Sequence, residues 1–366
     1  MKAPLLLSLF LTGQIALPAQ NADTARIART LPHNILLAPL EYLSSDRLRG
    51  RHIAFREIDT AAKYIADQFR KAGAKPVPGA NGYYQPFLLF LNRMTSYIRH
   101  EQVGTNIPWD MAESQGIKVK NILAFVEGTD SLLKKQYILL SAHYDHIGEA
   151  NTATVIDGKR DSIFNGAMDN ATGTAAVIDA ARYFARYPPK RSVLFICFTA
   201  EEEGEFGSLY YARHPLVPLD HTVYNLNVDN AAYNTTTAIC LFGLGRTSED
   251  SVIREACNPY GLRVRPEPDG QGLFERSDNF SLAVKGVPAP CFSMGIIKWD
   301  DDIDRRYHSL IDEFANIDQD YVDNFIRAYI LAAQYIANDP VQPRWTKGDP
   351  YEKDWQRLFG KSSSAQ

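Results

Sequence analysis

The chain has 366 residues, of which 45% are hydrophobic and 22% are charged. This composition is typical of a folded globular protein, so it excludes disorder, collagen and a coiled coil as the main architecture. The 39 Lys and Arg residues stand against 43 Asp and Glu residues, which leaves a net charge of −4. This charge argues against nucleic-acid binding as the main function.

The first residues of the chain predict an export signal. A positive charge at Lys2 precedes an apolar run over residues 5–11, and a small residue follows at Ala19. A positively charged start, a short apolar stretch and small residues at its end are typical of a secretory signal peptide. We therefore expect residues 1–20 to be a signal peptide and the protein to be periplasmic or extracellular. The apolar run is too short for a transmembrane span, and we expect no span elsewhere.

The rest of the chain alternates between strand-like and helix-like segments. Short apolar runs bounded by turns predict strands, whereas apolar residues at intervals of three and four predict helices. The predicted strands are residues 122–126, 137–142, 193–198, 222–228, 238–242 and 289–294, and the predicted helices are residues 58–69, 172–187, 208–214 and 322–336.

This alternation predicts an α/β fold. We expect a single three-layer domain in which helices flank a mostly parallel mixed central sheet. The domain would cover residues 25–338. Residues 94–118 fit neither period and would form an excursion near the site or the sheet edge. Residues 339–366 are rich in Pro and polar residues, so we expect a loosely attached polar C-terminal tail.

The four cysteines are interpreted as buried thiols. Export would permit disulfides, and four cysteines allow three pairings. However, Cys197 and Cys291 fall within apolar, strand-like runs, where a free cysteine behaves as a small hydrophobic residue.

Polar residues follow the carboxyl ends of several predicted strands. The carboxyl ends of parallel strands share one edge of an open α/β sheet, and ligands bind in the crevice there. Residues far apart in sequence can therefore converge on one point. The candidates are His143, Asp145, Asp169, Glu201, Glu202, Asp229 and His308.

These side chains have the chemistry of a metal centre. Each carboxylate alone has an ordinary explanation as a solvated or helix-capping group, but so many at one edge would repel one another unless a cation neutralised them. Imidazole and carboxylate ligands without a thiolate suit Zn²⁺, with Mn²⁺ or Co²⁺ as substitutes. A bridging carboxylate with a His and a carboxylate on either side is what two ions about 3.5–4 Å apart require.

The spacing of three acidic residues suggests supporting roles. The His-x-Asp spacing places Asp145 to hold the ring of His143 without binding metal itself. The adjacent Glu201 and Glu202 can divide their roles, because neighbouring side chains in a turn point in different directions. One would bind metal while the other accepts a proton from the reacting water.

The strings around these residues resemble those of metallopeptidase family 28, which contains secreted co-catalytic di-zinc aminopeptidases. SAHYDHIG at residues 141–148 is similar to the family's first metal motif, and NGAMDNATG at residues 165–173 is similar to its bridging-ligand loop. TAEEEG at residues 199–204 is similar to the turn that holds the family's general base and one of its metal ligands. The resemblance extends from about residue 40 to residue 337 and implies the family's zinc-exopeptidase fold.

The resemblance implies a ligand set for two zinc ions per chain. His143 and Asp229 would hold one ion, and Glu202 and His308 would hold the other. Asp169 would bridge the two ions, and the peptide bond after Asp169 would be cis.

The resemblance also implies roles for residues that do not bind metal. Glu201 would be the general base and then the acid that protonates the leaving amine, with Asp145 as the supporting catalytic residue. His146 falls outside the motif's spacing and receives no role. Independently of the resemblance, Arg276 and Asp278 are the candidate substrate-binding residues, with Arg276 the candidate cation for a substrate carboxylate.

The implied function is an aminopeptidase that removes N-terminal residues from peptides, which would be its partners. The metal centre does not decide which chain end is bound, so a carboxypeptidase or dipeptidase remains an alternative. A glutaminyl-cyclase-like acyltransferase, on a one-zinc version of the fold, and a non-enzymatic relative are further alternatives. The stretch between Asp229 and His308 is taken up by predicted strands and helices and has no room for a lid domain. The sequence does not indicate an oligomeric state.

Overall fold

A computed structural model describes residues 16–89, 116–156 and 158–360. Most of the predicted excursion at residues 94–118 lies outside the described residues, as does the apolar run of the predicted signal peptide. The last residues of that predicted peptide belong to the first described helix, α1 (Ala16–Thr30).

A mixed sheet of eight strands forms the centre of the molecule, and a separate two-stranded hairpin lies apart from it. In chain order the strands are β1 (Tyr84–Leu89), β2 (Ile117–Val126), β3 (Tyr137–His143), β4 (Glu149–Ile156), β5 (Lys159–Ile163), β6 (Ser192–Phe198), β7 (Thr222–Val228), β8 (Ala238–Phe242), β9 (Arg263–Arg265) and β10 (Cys291–Met294). The order across the large sheet is β1-β2-β6-β3-β7-β10-β8-β9, and β4 pairs with β5 in the hairpin.

The middle of the sheet is parallel. Strand β3 runs parallel to β6 on one side and to β7 on the other, and β7 runs parallel to β10. Strands β6 and β7 are buried along their whole length, as expected for parallel strands that are covered on both faces. Antiparallel pairs lie further out, between β1 and β2, between β2 and β6, and between β10 and β8. The predicted α/β fold with a mixed central sheet is therefore confirmed.

Helices flank the sheet. After α1 they are α2 (His33–Leu43), α3 (Glu57–Ala72), α4 (Gly173–Arg186), α5 (Phe206–Arg213), α6 (Asp250–Cys257), α7 (Asn279–Ala283), α8 (Asp301–Arg306), α9 (Gln319–Asn338) and α10 (Glu352–Phe359). Helix α4 contacts β3 and β6 through a run of buried small residues, which allow close approach, and it also packs against α9. Within the described part of the chain, no helix combines the length and apolarity needed to cross a bilayer.

The segment after α9 contradicts the predicted loose tail. The Trp345 side chain is 2% exposed, and its Nε1 donates a hydrogen bond to the Gly286 carbonyl oxygen at 3.2 Å. Helix α10 follows and buries Phe359. The overall polarity of the segment suggested a tail, but a few aromatic side chains bury enough apolar surface to attach it to the domain.

The four cysteines are buried free thiols, as predicted. Cys197 and Cys291 lie on β6 and β10 within the hydrophobic core. Burial raises the pKa of the Cys197 thiol.

Candidate metal centre

The predicted site residues converge at the carboxyl ends of the parallel strands. Strand β3 ends at His143, and β7 ends one residue before Asp229. Glu201 lies three residues after the end of β6, and Asp169 lies in the turn before α4. His308 lies two residues after α8. The topology therefore places at one edge of the sheet residues that are far apart in the chain.

Asp169 lies between two His–carboxylate pairs. Its Oδ1 is 3.2 Å from His143 Nε2, which is also 3.2 Å from Asp229 Oδ1. Its Oδ2 is 3.0 Å from His308 Nε2, which is 3.1 Å from Glu202 Oε2. Two ligands about 2.0 Å from a tetrahedral zinc ion lie about 3.3 Å from each other, so these separations match a zinc coordination sphere. One oxygen of Asp169 faces each pair, which is the arrangement of a bridging ligand.

The orientation of His308 supports metal binding at this position. Its Nε2 is buried and makes no hydrogen bond of acceptable geometry with any described residue, although Asp169 and Glu202 lie within 3.1 Å. An imidazole nitrogen about 3 Å from the oxygens of two carboxylates is placed as a metal ligand would be. Ligand atoms of His143, Asp169 and Asp229 lie within 4.8 Å of one another. The same is true of a second group, which consists of His146, Asp169, Glu202 and His308. The donor set therefore fits zinc.

Opposite charges stabilise one another in this cluster. Burial opposes ionisation of Asp169, but His143 and His308 outweigh it and hold the pKa of Asp169 well below its usual value. Burial and Asp169 raise the pKa of Glu202, yet His146 and His308 bring it down to about 2. Burial disfavours the charged form of His308, but Asp169 and Glu202 raise its pKa to about 10. Neighbouring imidazoles thus stabilise the ionised forms of Asp169 and Glu202, and metal ions bound here would stabilise them in the same way.

Glu201 has a different environment from Glu202. Its Oε2 is 4.0 Å from His143 Nε2, and its side chain lines the cavity described below. Burial raises its pKa well above the ordinary value, and Asp229 and Glu202 raise it further against the opposing effect of His143. A carboxylate with a raised pKa at the edge of a metal cluster is suited to accept a proton near neutral pH.

The structure corrects the predicted role of Asp145. His143 Nδ1 lies 3.2 Å from the Asp145 backbone carbonyl oxygen, whereas Asp145 Oδ1 is 4.0 Å away. The Asp145 carboxylate instead accepts hydrogen bonds from the backbone N–H groups of Glu201 and Glu202, both at 3.3 Å. Sequence spacing placed Asp145 near His143 but could not show that its side chain turns towards the loop after β6. Asp145 therefore positions that loop.

The loop that contains Asp169 is fixed by residues that the sequence analysis did not identify. Asp312 accepts hydrogen bonds from the backbone N–H groups of Met168 and Asp169, at 2.8 and 3.1 Å. The Arg51 guanidinium is completely buried and donates hydrogen bonds only to backbone carbonyl oxygens, two of them on residues 165 and 166. The Asp169–Asn170 peptide bond is cis, as the resemblance implies. Nothing in the spacing of Asp312 or Arg51 connects them to this loop.

His146 also belongs to the site, although its position in the motif suggested no role. Its side chain is buried, and Nδ1 lies 2.7 Å from Glu202 Oε1. It lies in the same group of potential ligand residues as Asp169, Glu202 and His308. The only sequence signal was its position three residues after His143.

A cavity opens beside the cluster. Arg276 lines it, whereas Asp278 is completely buried and is not among its lining residues. The prediction that Asp278 contacts substrate is therefore wrong, because the chain turns into α7 at this point and takes the carboxylate into the interior. The described lining residues are Asp169, Glu201, Asp229, Ala231, Phe242, Leu273, Arg276, Ser277, Trp299 and Tyr307.

Tyr307 is a further lining residue that sequence spacing did not identify. Its ring stacks on that of His308, with the ring centroids 3.9 Å apart. Burial raises the pKa of its hydroxyl, and nearby carboxylates, Asp169 first among them, raise it further. The hydroxyl therefore remains protonated and can act as a hydrogen-bond donor.

Comparisons with known proteins agree with this geometry. The sequence profile of peptidase family M28 matches residues 121–333. A protein of Pyricularia oryzae named "Vacuolar membrane protease" is 24% identical over 193 residues, which are 49% of this chain and 17% of that protein. A protein of Pyrenophora tritici-repentis named "Probable zinc metalloprotease" is 33% identical over 149 residues, which are 40% of this chain and 29% of that protein. The matched region thus spans less than a third of the length of either relative.

The fold matches that of solved aminopeptidase structures. The LapA aminopeptidase of Legionella pneumophila superposes with a TM-score of 0.61 at 16% identity, over 93% of this chain and 78% of that one. This similarity supports the zinc-exopeptidase fold expected from the sequence.

The expected periplasmic or extracellular location is contradicted. The Pyricularia relative and two further relatives are named for a vacuolar membrane. A short apolar run near the start of a chain is a targeting pattern, and nothing in that pattern specifies the compartment in which a protein finally resides.

Proposed function

The chain belongs to peptidase family M28, and we propose that it is a di-zinc aminopeptidase that removes N-terminal residues from peptides. The observation that carries this proposal is the position of Asp169, which presents one carboxylate oxygen to each of two His–carboxylate pairs. His143 and Asp229 would hold one zinc ion, and Glu202 and His308 would hold the other.

The chain's own residues provide the groups that the reaction needs. When bound, a zinc pair polarises the scissile carbonyl group and lowers the pKa of the attacking water. Glu201 accepts the proton that this water loses and then delivers it to the leaving nitrogen. Asp145 keeps Glu201 in place through the backbone N–H groups of the turn. The Tyr307 hydroxyl can donate a hydrogen bond to the reacting carbonyl oxygen.

The charge of the cavity favours an amino-terminal substrate. Asp169, Glu201 and Asp229 line it, and Arg276 is the one cation among the described lining residues. Carboxylate oxygens that the zinc ions leave free could accept hydrogen bonds from a free substrate amine, which is positively charged. The lining residues Phe242, Leu273 and Trp299 provide apolar surface for the side chain of the first residue. The proposed substrates are therefore peptides with a free amine and an apolar first residue.

The test compares two peptides that differ only at the amino terminus. Zinc-loaded protein should hydrolyse Leu-Gly-Gly and leave acetyl-Leu-Gly-Gly uncleaved, because acetylation removes the positive charge. Tyr307→Phe should retain this preference with a lower kcat, since only the hydroxyl is removed. Cleavage of both peptides at similar rates would contradict an aminopeptidase, and cleavage of neither would contradict a peptidase.

One observation favours the dipeptidase or carboxypeptidase alternative. Arg276 is exposed, lines the cavity, and forms no hydrogen bond or ion pair through its side chain with any described residue. A guanidinium is suited to bind a carboxylate through two parallel hydrogen bonds. If Arg276 binds the C-terminal carboxylate of a short peptide, the site would prefer dipeptides. The glutaminyl-cyclase alternative needs one zinc ion, whereas both ligand pairs are complete here.

The C-terminal preference of Arg276→Gln distinguishes these activities. If the protein is an aminopeptidase, Arg276→Gln should lower kcat/KM by the same factor for Leu-Gly and for Leu-Gly-amide. If the protein is a dipeptidase, the loss of kcat/KM should be about 10–100-fold larger for Leu-Gly, since only that peptide presents a carboxylate. Arg276→Lys is the matched control, because it retains the charge and removes the planar fork.

A further inference from the structure

The two oxygens of Glu202 have different partners. Oε2 lies 3.1 Å from His308 Nε2, on the side that faces Asp169. Oε1 lies 2.7 Å from His146 Nδ1, and both side chains are buried. The proposed second ligand pair uses only Oε2. The contact with His146 therefore restrains the carboxylate through the oxygen that the proposed ligand pair does not use.

The direction of the His146–Glu202 hydrogen bond follows from its chemistry. An ionised carboxylate can only accept hydrogen bonds, so Nδ1 of His146 must carry the proton. The other ring nitrogen, Nε2, is buried and has no hydrogen-bond partner among the described residues. Nδ1 of His146 is therefore the donor of this hydrogen bond, and Glu202 Oε1 is the acceptor.

The surrounding backbone keeps the His146 ring in this orientation. Gly166 has φ +56°, and a Cβ atom there would lie 2.6 Å from His146 Cδ2. The ring therefore packs directly against the loop that leads to Asp169. On another side, the ring centroid of His146 lies 5.5 Å from that of His308. The His146 ring therefore has close neighbours on two sides besides Glu202.

We propose that His146 is a positioning residue that fixes Glu202 in the orientation needed to bind the second zinc ion. The proposal rests on the two-zinc function proposed above. Without the bond to Oε1, the terminal torsion of Glu202 would have a broad range of orientations, since such torsions are only weakly restricted. The ion held by Glu202 and His308 should then bind more weakly. The ion held by His143 and Asp229 should be unaffected.

The test measures zinc binding rather than activity. Zinc dissociation constants for both sites are determined by chelator competition for wild type, His146→Phe and His146→Asn. The Phe variant retains a ring and removes the donor, whereas the Asn variant places an amide N–H near the position of Nδ1. We expect the second zinc ion to bind about 10–100-fold more weakly in His146→Phe and largely to recover in His146→Asn. His221→Asn is the control, because His221 is exposed.

The possible results separate this proposal from the proposed function. Unchanged zinc affinity in His146→Phe would overturn the positioning role while leaving the two-zinc function intact. Equal weakening in the Phe and Asn variants would also overturn it, because the donated hydrogen bond would then not be what matters. A wild-type chain that binds fewer than two zinc ions would overturn both proposals.

Discussion

Glu201 and Glu202 are adjacent in the chain but have opposite electrostatic environments. Glu202 contacts two imidazoles, which bring its pKa to about 2 and keep it ionised as a ligand. Burial raises the pKa of Glu201 well above its ordinary value, which suits a group that takes and returns a proton. Both residues donate a backbone hydrogen bond to Asp145, which fixes the turn between them. The division of roles therefore follows from contacts that lie on opposite sides of one turn.

Replacing Glu201 by Gln should separate metal binding from catalysis. The amide has the size of the carboxylate but cannot accept the proton of the attacking water. We expect kcat to fall by about 10²–10⁴-fold while the zinc content stays at the wild-type value. The measurement is peptide hydrolysis together with zinc analysis of the same sample. Loss of zinc from this variant would show that Glu201 is a ligand rather than the base.

The C-terminal segment is the element whose sequence pattern was most misleading. Trp345 packs beside Arg246 and Phe274: its ring centroid lies 5.3 Å from the guanidinium carbon of Arg246 and 6.3 Å from the ring centroid of Phe274. Thr247 and Trp345 also form an isolated β-bridge. Phe274 follows Leu273, which lines the cavity, so the segment supports one wall of the substrate site.

Trp345→Ala should destabilise the protein although Trp345 lies outside the predicted domain. Removing a buried Trp side chain should lower the free energy of unfolding by about 3–5 kcal/mol. Val341→Ala is the matched control on the same segment, because the Val341 side chain is 58% exposed, and it should change stability by no more than about 0.5 kcal/mol. Urea unfolding measures the free energy of unfolding of both variants. Equal stability of the two variants would mean that the segment does not contribute to the folded domain.

The elements predicted from sequence were those with strong apolar patterns. Strands β7 and β8 begin and end where the sequence predicts, because each is a buried apolar run with clear turns on both sides. The hairpin of β4 and β5 was not predicted, since both strands are largely exposed and have no alternation of apolar and polar residues. Patterns of burial cannot identify an element that is scarcely buried.

At the scale of the whole molecule, the fold brings many negative charges together at one sheet edge. In the metal-free protein, protonated His308 compensates part of this charge, and its pKa is about 10. Zinc binds the neutral imidazole, so binding must displace this proton. The metal-free cluster therefore holds a proton at neutral pH that zinc replaces.

This competition predicts that zinc affinity rises with pH. For each proton released, the affinity should increase about tenfold per pH unit from about pH 6 to about pH 9, below the raised pKa of His308. Chelator competition at several pH values measures the slope. An affinity independent of pH over this range would show that His308 is already neutral in the metal-free protein.

The ligand positions could be predicted from sequence, but the supporting contacts could not. Strand ends in a parallel sheet have a defined location, so His143 and Asp229 could be placed at one edge before the structure was known. His146, Asp312 and Arg51 contact the cluster through loop conformations that no periodicity encodes. The cavity wall likewise combines residues from separate loops, and for this reason Asp278 was wrongly placed in it.

The number of zinc ions bound per chain tests the central claim most directly. Metal analysis of purified wild-type protein, equilibrated with zinc and freed of excess ion, should give two per chain. Asp169→Asn should lower this number, because an amide provides only one oxygen and cannot bridge two ions. One zinc ion or none in the wild type would contradict the account, since Asp169 would then have no second ion to bridge.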